Sequence, residues 1–432
     1  MSEPRMNVRQ AAFIGVGSMV GAGIFSLLGA AGEVAGAAVW LSFLLAGAVA
    51  ILQGYSFSKF GARFPSAAGL LEYVKRGFGD GHMTGTFAWL ILMTNAIVTS
   101  MVAVSFGSYA SDALGEQTDG AVKVYAALIV VVMSAMNVLG SQAVARVQTV
   151  IVYVVLTILT IFAVSTIANL DPDLLAFSTY PGFGDIVASV ALTFFAFLGF
   201  GVITFTAAEL ADPSTQLSKA MYLALGIATT IYVAVALGVF GTLTVDEVIE
   251  SGGTALAVAA EPTLGRAGFW MMTVTALFST AGATNAGLYP AAGLCQQMAG
   301  AGQFPPALGR SIAGKVPAGL VITAVIAIVL AIGFDLTAIA SIGSAIALIV
   351  FTMITASHFG VRHETGANPI VLAIGVASTV TVLIAFAVTT LVDEPGTAIA
   401  LVVILALSVC ADQVWKRNRE RREPQAAPAG TL

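Results

Sequence analysis

Gly17-Ser18-Met19-Val20-Gly21-Ala22-Gly23-Ile24-Phe25 sets three glycines into a segment otherwise apolar enough to cross a membrane. Glycine weakens a helix by roughly 1 kcal/mol relative to alanine, and hydrocarbon offers nothing to an N–H or C=O that leaves the helical ladder. A broken backbone at that depth persists only where protein, an ion or a solute occupies the freed groups. The stretch therefore points to a solute site near the N-terminus. The glycines alone leave a second reading open, because Gly17 and Gly21 have the small-xxx-small spacing of a helix-packing face.

The rest of the chain supplies the setting. Of its 432 residues 58% are hydrophobic, 9% are charged and 45 are glycine, with a mean hydropathy of +0.94; that is the composition of an all-α, polytopic membrane protein. Segments long enough for a ~30 Å hydrocarbon core, roughly 20 helical residues, recur throughout. Twelve transmembrane helices are predicted, at residues 11–30, 35–58, 84–111, 122–140, 147–169, 186–209, 219–242, 267–299, 317–334, 336–357, 368–391 and 395–413. Residues 1–10 precede them as a cytoplasmic N-terminus, 11–413 form one membrane domain, and 414–432 form a tail that begins basic and ends in Pro, Ala and Gly. Such a tail reads as a lipid-headgroup contact followed by disorder. Met1–Gln10 leads straight into a span too long and glycine-rich for a cleaved signal, so the first helix is expected to stay.

Charge sorts itself across this alternation. With the N-terminus inside, 16 of the 18 basic residues fall in cytoplasmic segments, and Lys123 and Arg266 are the exceptions. Of the 23 acids, 14 fall outside, among them Asp171, Asp173, Asp246, Glu247 and Glu250. This is the positive-inside pattern of a multi-pass protein of the cytoplasmic membrane with both termini in the cytoplasm. Cys295 and Cys410 lie within predicted spans and imply packing rather than a disulfide framework.

A second interruption occupies the equivalent place in the chain. Phe194-Phe-Ala-Phe-Leu-Gly-Phe-Gly201, in the sixth span, matches the break in the first. The pairing suggests an inverted repeat of five plus five helices, residues 11–169 and 186–357, with helices 1 and 6 discontinuous and two further helices over 368–413. Half-helix N-termini in that arrangement attract an anionic group, and freed carbonyls hold a cation or an ammonium.

Three motifs in order resemble the amino acid–polyamine–organocation (APC) superfamily of permeases, which has the leucine-transporter fold. They are Gly17–Phe25, the cytoplasmic stretch Gly61-Ala-Arg-Phe-Pro-Ser-Ala-Ala-Gly-Leu-Leu-Glu-Tyr-Val-Lys-Arg-Gly-Phe-Gly79, and Phe194–Phe200 followed by Ala207-Ala-Glu-Leu-Ala-Asp-Pro213. The resemblance implies a secondary transporter, not an enzyme, that moves an amino acid or related small amine by alternating access. It implies that the N–H groups of Ala22 and Gly23 receive a substrate carboxylate while the Met19 carbonyl faces its ammonium. Phe195 matches an aromatic that closes over the substrate, Leu198 lines the pocket, and Gly201 stands where many relatives carry an acid. Gly293 and Ala299–Gly302 likewise replace charged positions of the family's inner gate. For Phe195 and Leu198, core packing is the alternative role.

Coupling is read the same way. Val155 stands where proton-coupled relatives can carry a lysine. The resemblance to sodium-coupled relatives implies an ion site from the carbonyls of Gly17, Val20 and Ala276 and the hydroxyls of Ser279 and Thr280. A carbonyl at i with hydroxyls at i+3 and i+4 shares one helical face, although such hydroxyls also serve as interhelical hydrogen bonders. Sodium or a proton is the only cofactor-like species implied. Glu209, at the inner end of helix six, is a candidate gate residue or a solvated helix end. Asn285 and Pro290 suggest a kink in helix eight, and His358, beside Arg362 and His363, is expected at the interface.

No G-x-x-x-x-G-K-[ST] signature is present to suggest nucleotide-driven pumping. The partners implied are a small-molecule substrate and the bilayer, with no nucleic acid; the oligomeric state is not written in the sequence. Exchange or proton coupling stays open as an alternative, as does a non-transporting sensor. The shortness of the tail favours transport over sensing. A neutral zwitterion fits better than a polycation, because no obvious intramembrane acid is present.

Overall fold

The computed structural model describes residues 6–66, 69–116, 118–139, 142–312 and 316–422. Arg5, Lys315, Ala67 and Ala68 of the second motif, and the tail from Glu423 onward lie outside the described residues.

The chain is helical almost throughout. The first span is α1 (Val8–Met19) followed, after a break at Val20–Gly21, by α2 (Ala22–Ser26). Next come α3 (Leu28–Ala35), α4 (Val39–Arg63), α5 (Leu70–Phe78), α6 (His82–Ala113), α7 (Asp119–Leu139) and α8 (Gln142–Ala168). The sixth span begins as α9 (Phe183–Phe194) and continues without a gap as a 3₁₀ helix over Phe195–Glu209. The remainder comprises α10 (Pro213–Phe240), α11 (Val245–Ser251), α12 (Ala255–Gly300), α13 (Ala318–Gly333), α14 (Leu336–Thr365), α15 (Pro369–Asp393) and α16 (Pro395–Arg422). A two-residue ribbon, β1 (Ser311–Ile312) against β2 (Val316–Pro317), is an addition that hydropathy could not foresee.

Local chemistry sets the boundaries. Asn7 and Gln10 form a capping box at the start of α1, and Asp335 caps α14 by accepting from the Ala338 N–H at 2.7 Å. Such caps satisfy orphan N–H groups that lipid would leave unpaired. Gly366, at φ 64°, closes α14 in the left-handed conformation that favours glycine.

Ten helices, counted among the described residues, are long and apolar enough to cross a membrane. Of the twelve predicted spans, the eighth lies in α12 and the ninth in α13, and neither is among those ten. At 16 residues α13 is about 24 Å long, and the stretch of α12 that follows its non-helical residue Gly265 (φ 66°) is interrupted by Ser279, Thr280, Thr284 and Asn285.

Burial sorts these helices into a centre and a rim. The Phe183–Glu209 span is 83% buried, and the apolar windows of α6 and α14 are each 72% buried. The window of α7 is only 17% buried and that of α16 22%, so these helices face lipid with residues such as Val124, Leu128, Val402 and Leu407. In the centre α1 packs on the 3₁₀ segment, α4 on α10 and α6 on α12. His358 is fully buried rather than interfacial: its Nδ1 is 2.9 Å from Ser56 Oγ, its Nε2 is 2.8 Å from Thr365 Oγ1, and its ring lies 4.0 Å from that of Phe60. Cys295 is buried, whereas Cys410 is exposed on α16.

Candidate functional site

The two interrupted spans cross backbone to backbone at the centre of the molecule. A Cβ built on Gly199 would stand 2.3 Å from the carbonyl carbon of Ser18, and one on Gly23 would stand 2.4 Å from the Cα of Ala196. Any side chain at either position would separate the spans. Where the first span begins and the sixth ends, the Met6 N–H donates to the Glu209 carbonyl at 3.0 Å, within an isolated parallel bridge between Met6 and Leu210. The glycines thus serve both readings, a break and a packing face.

At the break the ladder is redirected. The Gly21 N–H donates to Met19 O, two residues back, at 2.8 Å, so the donor that would have reached Gly17 O in a continuous helix is spent. One lone pair of the Met19 carbonyl is therefore engaged by the chain itself. Ala22 and Gly23 open α2, where first-turn N–H groups have no intrahelical acceptor.

The second interruption differs from the expected gap. Over Phe195–Glu209 the chain changes pitch to three residues per turn, so that residues three apart eclipse. Phe195, Leu198 and Gly201 consequently form one row. Leu198 and Gly201 line a cavity of about 120 Å³, an order of magnitude more than the ~10–15 Å³ that admits one water. Phe195 stands one turn earlier in the row, 4% exposed, with its ring against Gly343 of α14.

The cavity extends from Ser18 toward Leu70, Phe205 and Leu294, and its walls come from α6, α12, α14 and the 3₁₀ segment. Val98, Val102, Val202, Phe205 and Phe351 make it apolar, and its polar lining is confined to Ser18, Thr94 and Asn95. No charged side chain lines it among the described residues. Met19, Ala22 and Gly23 lie beside the cavity rather than on its wall. The contributions of Asn95 and Phe351 escaped sequence reasoning; a lone Asn in an apolar span was the available signal for the first. Asn95 Nδ2 donates to Gly287 O at 2.9 Å, and Asn137 Nδ2 donates to Asn285 Oδ1 at 2.6 Å, so α12 is held from two sides.

The oxygens singled out for an ion converge in part. Ser279 Oγ donates to Val20 O at 2.7 Å, and Thr280 Oγ1 donates to Ala276 O at 2.6 Å. All four residues are at most 4% exposed, and Gly17 is buried in the turn before. Each hydroxyl keeps acceptor lone pairs while it donates. Glu209 is different: its side chain is exposed and its backbone forms the bridge to Met6.

Comparison with known proteins follows this geometry closely. The profile of the family described as "Amino acid permease" matches residues 6–424. The chain is 31% identical over 408 residues to the Inner membrane transport protein YbaT of Escherichia coli (strain K12), covering 94% of this chain and 95% of that protein. It is 31% identical over 369 residues to the uncharacterized protein MJ0609 of Methanocaldococcus jannaschii, covering 85% of each. It is also 27% identical over 389 residues to the Branched-chain amino acid permease BcaP of Lactococcus lactis subsp. cremoris, covering 82% and 81%. The chain belongs to the amino acid permease family, within the APC superfamily; it is a multi-pass membrane transporter and not an enzyme.

Proposed function

We propose that this member of the amino acid permease family carries a neutral amino acid with an apolar side chain across the cytoplasmic membrane by alternating access, coupled to sodium. The observation that carries the reading is the uncharged, apolar cavity lying against two backbone breaks. A zwitterion needs donors at one end and acceptors at the other, and broken helices supply both without burying an ionised side chain. The N–H groups of Ala22 and Gly23 serve the carboxylate, and the second lone pair of Met19 O serves the ammonium. Leu198 and Gly201 meet the side chain, and Phe195 roofs the site. The similarity to a protein named as a branched-chain amino acid permease supports the same substrate class.

Sodium is the coupling ion in this reading, held by the carbonyls of Gly17, Val20 and Ala276 with the hydroxyls of Ser279 and Thr280. Five oxygens suit a hard cation, and Ser279 already joins α12 to the break in the first span. The same reading places twelve helices in a five-plus-five inverted repeat with α15 and α16 appended, and both termini in the cytoplasm. The contacts of α1 with the 3₁₀ segment, α4 with α10 and α6 with α12 support that pairing. Lys416 Nζ, which donates to Gly81 O at 2.6 Å, and Met6, bonded to Glu209, support termini on one face.

Counterflow in proteoliposomes tests the proposal. Preloaded unlabelled leucine or valine should drive accumulation of labelled leucine, and external sodium should raise the rate. Binding without accumulation overturns the transport reading, and full uptake in sodium-free buffer overturns the coupling.

A further inference from the structure

The last helix is longer than the membrane needs. The stretch from Pro395 to Val414 already supplies the roughly 20 helical residues that a ~30 Å hydrocarbon core requires, yet α16 continues as helix to Arg422. The extra turns read Trp415-Lys-Arg-Asn-Arg-Glu-Arg-Arg422, five basic residues to one acid. A cationic helix end just beyond an apolar span lies level with lipid phosphates.

These turns are built into the fold. Trp415 Nε1 donates to Gly302 O at 3.0 Å, and Arg419 Nη1 reaches the same carbonyl at 3.4 Å. Lys416 Nζ donates to Gly81 O at 2.6 Å and stands 3.1 Å from Asp412 Oδ1, while Asp412 Oδ2 is 2.7 Å from His82 Nδ1. Gly85 leaves room for this carboxylate, since a Cβ there would overlap Asp412 Oδ1. Gly302 follows the end of α12 and Gly81 precedes α6, so α16 lies as a strap across the ends of two helices that wall the cavity.

The surface beside the strap is cationic and partly apolar. Asp412 is committed to His82 and Lys416, and Asp80 pairs with Lys75 at 3.1 Å. Arg417 and Arg419 are exposed, and so is Arg310, which follows Gly309 where that residue packs on Ala299 in the last turn of α12. Exposed apolar side chains stand among these cations, Met83 next to His82 and Val414 next to Trp415. Basic groups interleaved with apolar ones fit the boundary between headgroups and acyl chains, whereas a soluble anion would engage the cations alone.

We propose that this corner, where the start of α6, the turn after α12 and the end of α16 meet, binds the phosphate headgroup of an anionic phospholipid of the inner leaflet. Arg310, Arg417 and Arg419 supply the cations, Met83 and Val414 meet the acyl chains, and the bound lipid holds the strap against α6 and α12. The inference rests on the reading above for the cytoplasmic placement of the termini.

Native mass spectrometry of the full-length protein in neutral detergent tests it, with phosphatidylglycerol and phosphatidylcholine of the same acyl chains titrated separately. Phosphatidylglycerol should bind the more tightly. Arg417→Gln should weaken it about fivefold, the factor set by the ~1 kcal/mol of one basic residue near anionic lipid, and Arg417→Gln with Arg419→Gln about 25-fold, with phosphatidylcholine unchanged. Lys219→Gln removes an exposed cation from α10, which packs on α4, α1 and α8, and should leave both lipids unchanged. Hydrogen exchange over Gly81–Gly85 should slow when phosphatidylglycerol is added to the parent and not when it is added to the double variant. Equal binding of the two lipids, or an equal loss in Lys219→Gln, overturns the site. Protection of Gly81–Gly85 by inorganic phosphate as strong as that by the lipid assigns the corner to a soluble anion and overturns the lipid, and unchanged exchange overturns the strap. Binding in detergent needs neither transport nor a sided membrane, so selective binding by a protein without counterflow overturns the transport reading and leaves this inference standing.

Discussion

Gly199→Ala probes the crossing on which the site depends. The added methyl would lie 2.3 Å from the Ser18 carbonyl carbon, 2.4 Å from its oxygen and 2.6 Å from Met19 N, where ordinary contact begins at 3.4 Å. Backbone lies on both sides, so no side chain can rotate away, and α1 must retreat from the 3₁₀ segment by about 1 Å. Overpacking of this kind costs about 1–3 kcal/mol, less up to ~1 kcal/mol recovered because alanine favours a helix over glycine. The retreat carries Val20 with it. Its carbonyl now sits 2.7 Å from Ser279 Oγ, and a further ~1 Å takes that pair out of hydrogen-bond range. Ligand affinity should fall about tenfold, equivalent to ~1.4 kcal/mol, so the thermal shift produced by saturating leucine and sodium should shrink by that free energy. Gly201→Ala is the internal control: its nearest neighbour would be Leu70 Cδ1 at an ordinary 3.6 Å, and the fold should tolerate it. A Gly199→Ala protein with the full ligand-induced shift, or a Gly201→Ala protein as unstable as Gly199→Ala, would refute the reasoning.

Three further outcomes are expected. Ser279→Ala with Thr280→Ala should abolish sodium stimulation of counterflow while leaving the folded state within about 1–3 kcal/mol of the parent, the cost of two ordinary hydrogen bonds; sodium stimulation that survives removes these hydroxyls from the ion site. Asp412, 0% exposed between His82 Nδ1 at 2.7 Å and Lys416 Nζ at 3.1 Å, ties α16 to the start of α6, and its loss leaves Lys416 with the Gly81 carbonyl alone, so Asp412→Ala should lower stability by about 1.5–3 kcal/mol in chemical unfolding, the range for a hydrogen bond to a charged group. Asp212 caps α10, and hydrogen bonds from Ser214 and then Thr215 hold its carboxyl below the ordinary 3.8. Its folded-state value is depressed, so the contribution is present above pH 3.8 and lost as pH falls through the lower folded value. Hydrogen exchange of the first turn of α10 should accelerate over that window in the parent, whereas Asp212→Asn should flatten the profile.

Much of this architecture was legible in the sequence, and the remainder has physical causes. Hydropathy located the helices because lipid forces the backbone to satisfy itself within each span. The spans placed at 267–299 and 317–334 fall on α12 and α13, yet neither is long and apolar enough to be counted as crossing: α13 is short, and the hydroxyls and amides of α12 dilute its hydropathy. The break at Val20–Gly21 was visible because glycine advertises it. The pitch change at Phe195 was not, since 100° and 120° per residue look alike over one turn and separate only when neighbours are known. That is why Leu198 and Gly201 were found on the cavity while Asn95 and Phe351 were missed: their faces are decided by which helix stands opposite. His358 likewise looked interfacial beside Arg362, and only the partners Ser56 and Thr365, 302 and 7 residues away in sequence, bring it inside.

The bridge between Met6 and Leu210 carries a separate consequence. It is made by main-chain atoms, with the Met6 N–H donating to Glu209 O, so the tie between the beginning of the chain and the end of the 3₁₀ segment is indifferent to the side chains that form it. Alanine scanning would pass over it in silence. Evolution can rewrite both sequences and keep the tie, and an engineer who fuses a folded tag directly ahead of Met6 risks prising it apart without altering a single side chain of the transporter. Proline at position 6, which removes the donor and little else, is the substitution to which this joint would answer.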